Sequence, residues 1–281
     1  MTAGAREDDR GEQAADLGPE EEQRAAEEES LDAATTHEVI RREGTKELER
    51  PASALAWSGL AAGLSMGLSF AAEGTLRAHI ADAPWRPLVT KLGYPVGFLA
   101  VILGSQQLYT ENTLTPIVPL MSKRDGETLR KVLVLWGVVL LTNLLGTLLF
   151  ALAAARSEAF PPELRAAFGA IAREAMEGSV PARLASAVAA GWIIALMVWM
   201  LPAASHAHVL VIAVMTWLVG AAGLAHVIVG SAEVQYLVFA GELSYGAFLG
   251  DYFLPVLLGN TLGGVTLVAA VNHAQVASGK G

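Results

Sequence analysis

The chain contains no cysteine. Structural disulfides, thiolate metal sites and cysteine nucleophiles are therefore excluded, and the redox compartment is left undetermined. Charge is scarce as well: charged residues make up 17% of the 281, where a soluble domain carries about a quarter. The charge that is present lies at one end. Residues 1–50 hold sixteen Asp and Glu against seven Lys and Arg, and their net −9 equals that of the whole chain. Residues 51–281 thus balance at twelve against twelve, and the low pI describes the tail alone. No secretory signal is visible, because residues 1–30 are acidic and lack an apolar h-region. The first membrane span is expected to act as the targeting signal. No His-Glu-x-x-His, Gly-x-Ser-x-Gly or paired carboxylates occur in the apolar stretches, which argues against an intramembrane enzyme. No Asn-Pro-Ala pair occurs either, which excludes an ordinary water or glycerol channel. No metal, cofactor or nucleic-acid partner is expected.

What is abundant is apolar sequence, at 53% of the chain. Apolar stretches run over roughly 52–73, 92–121, 131–155, 183–204, 208–240 and 248–272. Each is long enough to cross a hydrocarbon core of ~30 Å, which takes about 20 residues. The sequence therefore predicts an all-α, six-span membrane protein embedded in a lipid bilayer. Residues 1–50 form an acidic tail, 51–273 the transmembrane domain and 274–281 a short tail. Residues 1–30 have too few aliphatic side chains to fold. From 31 to 50 a helical pattern of Leu31, Val39, Ile40 and Leu48 fits two readings, an amphipathic helix on a surface or a solvated linker helix. An even number of spans places both ends on one side. Arg41, Arg42, Lys46 and Arg50 before the first span, with Lys123, Arg124, Arg130 and Lys131 after the second, predict cytoplasmic termini. Arg77, Arg86, Lys91, Arg156, Arg165, Arg173 and Arg183 are then read as charges on the opposite side.

An internal repeat divides the spans three and three. Val101–Ser105 pairs with Val227–Ser231, Leu141–Gly146 with Leu258–Gly263, and Pro51-Ala52 with Pro181-Ala182, in the same order and 117 to 130 residues apart. The halves are about 51–155 and 181–273. Three spans per half require the second copy to start from the opposite face, an inverted repeat whose interrupted helices meet near the midplane. The interruptions are visible as polar clusters: Gly104 to Thr113 in the second span, and His226, Gly230-Ser231, Glu233 and Gln235 in the fifth. Ionisable groups inside a membrane are costly, so Glu111 and His226 are read as marking a pathway. Glu233 fits either a pathway or an interfacial position. Gly104 and Gly230 are assigned to the helix breaks, and Asn143 and Asn260 to hydrogen bonds at the open helix ends. Gly59, Gly63 and Gly67, like Gly259 and Gly263, recur every four residues and predict close helix packing.

On these residues the chain resembles the formate/nitrite transporter family over roughly 50–272. The resemblance rests on Leu108-Tyr109-Thr110 after the glycine-containing second span, on Gly223-Leu224-Ala225-His226, and on Leu254-Pro255-Val256-Leu257-Leu258-Gly259-Asn260-Thr261-Leu262-Gly263-Gly264. It implies an aquaporin-like fold assembled as a homo-pentamer in a bacterial inner membrane. It further implies one pore per protomer, for small monovalent anions or their conjugate weak acids, with protons as partners. By position, His226 corresponds to the central pore histidine, and Leu108 and Thr110 to the loop interrupting the second span. Tyr94 and Phe98 correspond to an inner-side constriction and Val219 to an outer-side one. Glu111 and Asn112 complete the expected pathway. Ala225, Gly230 and Gly191 depart from the family, which has Glu, Asn and Asn there. A pore for a neutral solute and a non-transporting membrane scaffold or sensor are the alternatives.

Overall fold

The computed structural model describes residues 32–278, so the reading of residues 1–30 as disordered lies outside the described residues. Among these residues there is no β-strand. A backbone in hydrocarbon must satisfy its own hydrogen bonds, and helices do so within one segment. We label the helices α1 (Ala33–Leu48), α2 (Ala52–His79), α3 (Arg86–Leu103), α4 (Ile117–Lys123), α5 (Gly126–Arg156), α6 (Pro162–Ala175), α7 (Val180–Met200), α8 (His208–Ala221), α9 (Val227–Ala240) and α10 (Tyr245–Val276). Helices α2, α3, α5, α7 and α10 are each long and apolar enough to cross a membrane. The pairs α3/α4 and α8/α9 are the two interrupted spans. The fold is an aquaporin-like inverted repeat of three spans and three.

Side-chain caps fix several helix starts. Asp32 accepts from the Thr35 N–H, Asp125 from Thr128, Ser179 from Ala182 and His226 from Val229. Each such cap stabilises its helix by about 1 kcal/mol. Helix α1 is docked on the bundle: Thr36, His37, Ile40 and Gly44 are buried, and it packs on α4, α5 and the end of α10. His37 meets His273 of α10 at 3.0 Å. The amphipathic helix α6 has no counterpart among the elements expected from the sequence. It packs on α2 and α9 through Phe168, against Phe70 and Tyr236.

The repeat is real, but its register differs from the sequence reading. After α3, the N–H groups of Gly104, Ser105 and Gln106 donate to Ala100, Ile102 and Val101. After α8, those of Ala222, Gly223 and Leu224 donate to Leu218, Gly220 and Val219, the same pattern 118 residues later. Ser105 and Gly223 both turn through positive φ, 51° and 63°. Asn143 accepts from the Tyr109 N–H and donates to the carbonyls of Gly59 and Gln107. Asn260 repeats each contact with Val227, Ala187 and Ala225. Thus Leu108 is the counterpart of His226, and Gly104 that of Ala222. The pairing of Val101–Ser105 with Val227–Ser231 is corrected, because the first segment ends a helix and the second begins one. Pro51 is likewise matched by Ser179, both of them N-caps, and not by Pro181. The match between Asn143 and Asn260 holds.

Close packing surrounds these asparagines. Helix α2 packs most extensively on α5, and α7 on α10. A Cβ on Gly63 would collide with the Asn143 carbonyl, and one on Gly191 with that of Asn260. Bare backbone at Gly63 and Gly191 thus lets the helix carrying each asparagine lie directly against its neighbour.

Candidate translocation pathway

The two breaks meet at one hydrogen bond. Thr110 in the first break and His226 in the second lie 2.9 Å apart, hydroxyl oxygen to ring Nε2, both buried. His226 has extended backbone geometry (φ −115°, ψ 127°) because it caps α9, and its Nδ1 accepts the Val229 N–H at 3.3 Å. An acceptor at Nδ1 requires the proton of a neutral ring to sit on Nε2. Nε2–H therefore donates to Thr110, a tautomer assigned from the network. The ring lies edge-on to Phe98, with centroids 5.1 Å apart, and Phe98 in turn stacks near Tyr94. Phe98, Leu108 and Val219 are fully buried, and Phe98 packs directly against the His226 ring.

A cavity opens on each side of this closure. One, of about 480 Å³, is lined by His226, Tyr94, Gly230, Tyr252, Lys91, Arg183 and Glu233 among others. The other, of about 460 Å³, lies beneath α1 and is lined by Glu43, Glu47, Gln106, Gln107, Glu111, Asn112 and His208 among others. The α1-side cavity is acidic. Burial at the cavity mouth, and then the charge of Glu47, raise the Glu43 carboxyl above the usual carboxylate range. Glu111 has a buried oxygen with no hydrogen-bond partner and has Glu43 as its neighbouring charge. Gln107 donates to Glu47 at 2.9 Å and accepts from Asn112 at 3.0 Å, which ties the first break to α1. Among the described residues, no three His, Asp or Glu side chains converge as a metal site needs.

Most residues singled out in the sequence come together here, with three changes. Gly230 is not at a break: it lies within α9, one turn past His226, where its missing side chain makes room for the Tyr252 hydroxyl. Gly104 does end α3 at its break. Tyr94 opens on the cavity remote from α1, beside Gly220. Tyr94 therefore lies across the closure from α1, not on the α1 side where an inner constriction beside the termini is expected, while Phe98 sits against His226 itself. Lastly, Lys91 and Arg183, read as peripheral charges, are built into the cavity wall. The Lys91 ammonium lies 2.5 Å from the fully buried Glu73 of α2. Arg183 donates to the carbonyls of Asp251 and Met176, with its guanidinium over the Tyr252 ring. Glu233 is buried on the same face of α9 as His226 and Gly230, which settles it as cavity-facing.

Comparison with known proteins agrees with this geometry. The profile described as "Formate/nitrite transporter" matches residues 34–274. "Inner membrane protein YfdC" of Escherichia coli (strain K12) is 42% identical over 244 residues, 87% of this chain and 79% of that protein. "Uncharacterized transporter YrhG" of Bacillus subtilis (strain 168) is 26% identical over 238 residues, 81% of this chain and 87% of that one. The solved "Pentameric formate channel with formate bound" superposes with TM-score 0.68 at 19% identity, over 80% of this chain and 98% of its own. An "FNT family ion channel" does so with TM-score 0.69 at 20% identity, over 86% and 96%. The two solved channels share the fold. The family profile and the relative at 42% identity establish kinship as well: the chain belongs to the formate/nitrite transporter family.

Proposed function

We propose that the protein is a homo-pentameric, multi-pass bacterial inner-membrane channel or proton-coupled transporter, with cytoplasmic termini. It carries small monovalent anions of the formate or nitrite kind across the membrane together with a proton, as the weak acid. The observation that carries this reading is the Thr110–His226 hydrogen bond, which closes an apolar constriction between two cavities on opposite sides. An unpaired anion moved into such a constriction costs several kcal/mol, and protonation removes most of that cost. With Nδ1 held by the Val229 amide, His226 presents one proton, on Nε2, to whatever displaces Thr110. Its part is to hold the anion through that Nε2–H hydrogen bond while a proton from the entry side neutralises it, so that the ring never rests as a buried cation. The acidic α1-side cavity disfavours a free anion and so favours the neutral acid. Membership of the family and the names of its solved relatives support the substrate class and the pentamer. Large exposed apolar side chains such as Trp57 (74%) and Leu141 (68%) suit lipid or neighbouring protomers.

Proteoliposomes containing the protein test the substrate class. Formate and nitrite uptake should exceed that of empty liposomes and grow as external pH falls, whereas glycerol or urea should cause no added swelling. Swelling with neutral solutes and no weak-acid uptake would establish the neutral-pore alternative instead.

A further inference from the structure

The cavity remote from α1 contains a charge imbalance that the closure itself does not explain. Two carboxylates, Glu73 and Glu233, share one ammonium, Lys91, and all three belong to spans. Glu73 is fully buried and its ion pair with Lys91 is the close one, at 2.5 Å. Glu233 is 6% exposed and, among the described residues, forms neither a hydrogen bond nor an ion pair. Among the described residues, none of the other cations nearby pairs with Glu233. Arg77 is consumed by Glu174 at 2.6 Å, so that pair is neutral. Arg183 donates to the backbone carbonyls of Asp251, Met176, Glu177 and Gly178 and lies over the face of Tyr252, so its hydrogen bonds go to backbone and none goes to Glu233. Tyr94, Tyr252 and the exposed Glu177 also line this cavity, and none of them is a cation. Ionised together, Glu73, Lys91 and Glu233 would leave one uncompensated negative charge in a buried site, which costs several kcal/mol. Two interacting carboxylates avoid that cost by keeping a proton between them.

We propose that Glu73, Lys91 and Glu233 form a proton-storing site in which Lys91 holds Glu73 ionised and Glu233 carries the exchangeable proton. This rests on the reading of the pathway as one for weak acids and adds the source of the proton. Glu233 lies on the same cavity-facing strip of α9 as His226 and Gly230, seven residues and hence ~10 Å along the helix from His226. An anion entering from this side takes the proton as Glu233–COOH + A⁻ gives Glu233–COO⁻ + HA. HA proceeds past His226, and a proton from the entry-side solution (H₃O⁺, leaving H₂O) restores the Glu233 carboxyl.

Infrared spectroscopy of the reconstituted full-length protein tests the site apart from transport. At neutral pH the wild type should show a protonated-carboxyl band component that is missing in Glu233→Gln. In Glu73→Gln, Lys91 is free to pair with Glu233, so the same component should vanish at neutral pH and return only on acidification. A component that survives Glu233→Gln, or that is untouched by Glu73→Gln, overturns the proposal. In flux assays with formate, Glu233→Gln should lower accumulation driven by a pH gradient about tenfold or more. Unaltered gradient-driven accumulation in that variant also overturns it. The expected infrared changes without weak-acid flux in the wild type would sink the transport reading and leave the proton site standing. Size-exclusion profiles matching the wild type confirm that each variant is assembled.

Discussion

Replacing Asn260 by Leu should cost the fold about 3–5 kcal/mol, because three backbone groups, two of them in buried bonds, lose a partner at once. The Val227 N–H at the opening of α9 and the Ala187 carbonyl are buried, while the Ala225 carbonyl is part-buried at the wall of the cavity. Leu is close to Asn in size, so the loss is one of hydrogen bonding and not of volume. The same substitution at Asn143 strips Tyr109, Gly59 and Gln107 in the other half and should cost a similar amount. Thermal unfolding in detergent measures both. Thr266→Ala, which removes an exposed bond to the Leu262 carbonyl, should stay within about 0.5 kcal/mol of the wild type. If Asn143 and Asn260 prove as tolerant as Thr266, the breaks are not held as described. Unequal losses at the two asparagines would show that the halves bear unequal loads despite their matching geometry.

The second large effect is functional. His226→Asn should keep the cap on α9, since Asn is among the best N-cap residues, while removing the titratable ring. Assembly should therefore survive. Weak-acid flux should fall about a hundredfold or more, the scale of losing one preorganised hydrogen-bond donor to a buried anion. His226→Phe removes the cap too, and should show the same flux loss with about 1 kcal/mol of added destabilisation. Thr110→Val, which leaves the ring in place and deletes the hydroxyl it bonds, should cause a smaller loss than either. Flux and pH response in His226→Asn that match the wild type would remove the histidine from the pathway.

The parts of this molecule that were readable from sequence are those whose physics is local. Six apolar stretches announce spans because the bilayer demands length and hydropathy. The run from Gly104 to Thr113 announces a break because nothing amphipathic accounts for it. His226 stood out for being polar where polarity is expensive. The register of the repeat was misread because Val-Ile-Leu-Gly-Ser and Val-Ile-Val-Gly-Ser are common words in apolar sequence. The true equivalents, such as Ser105 with Gly223 or Leu108 with His226, share backbone geometry and no side-chain identity. The side of the closure on which Tyr94 lies is hidden for a related reason: position along α3 does not reveal depth, and only the packing puts Tyr94 on the cavity remote from α1. Lys91 and Glu73 are eighteen residues apart on different spans, and only the packing of α2 on α3 turns two flanking charges into a buried pair.

The account holds that anion and proton cross together past His226. Simultaneous recording of internal pH and formate uptake in proteoliposomes, with the membrane potential clamped at zero, measures this directly. One proton should enter with each formate, and the ratio should hold across external pH while the rate rises on acidification. Formate entry that carries net charge and leaves internal pH unchanged would contradict it.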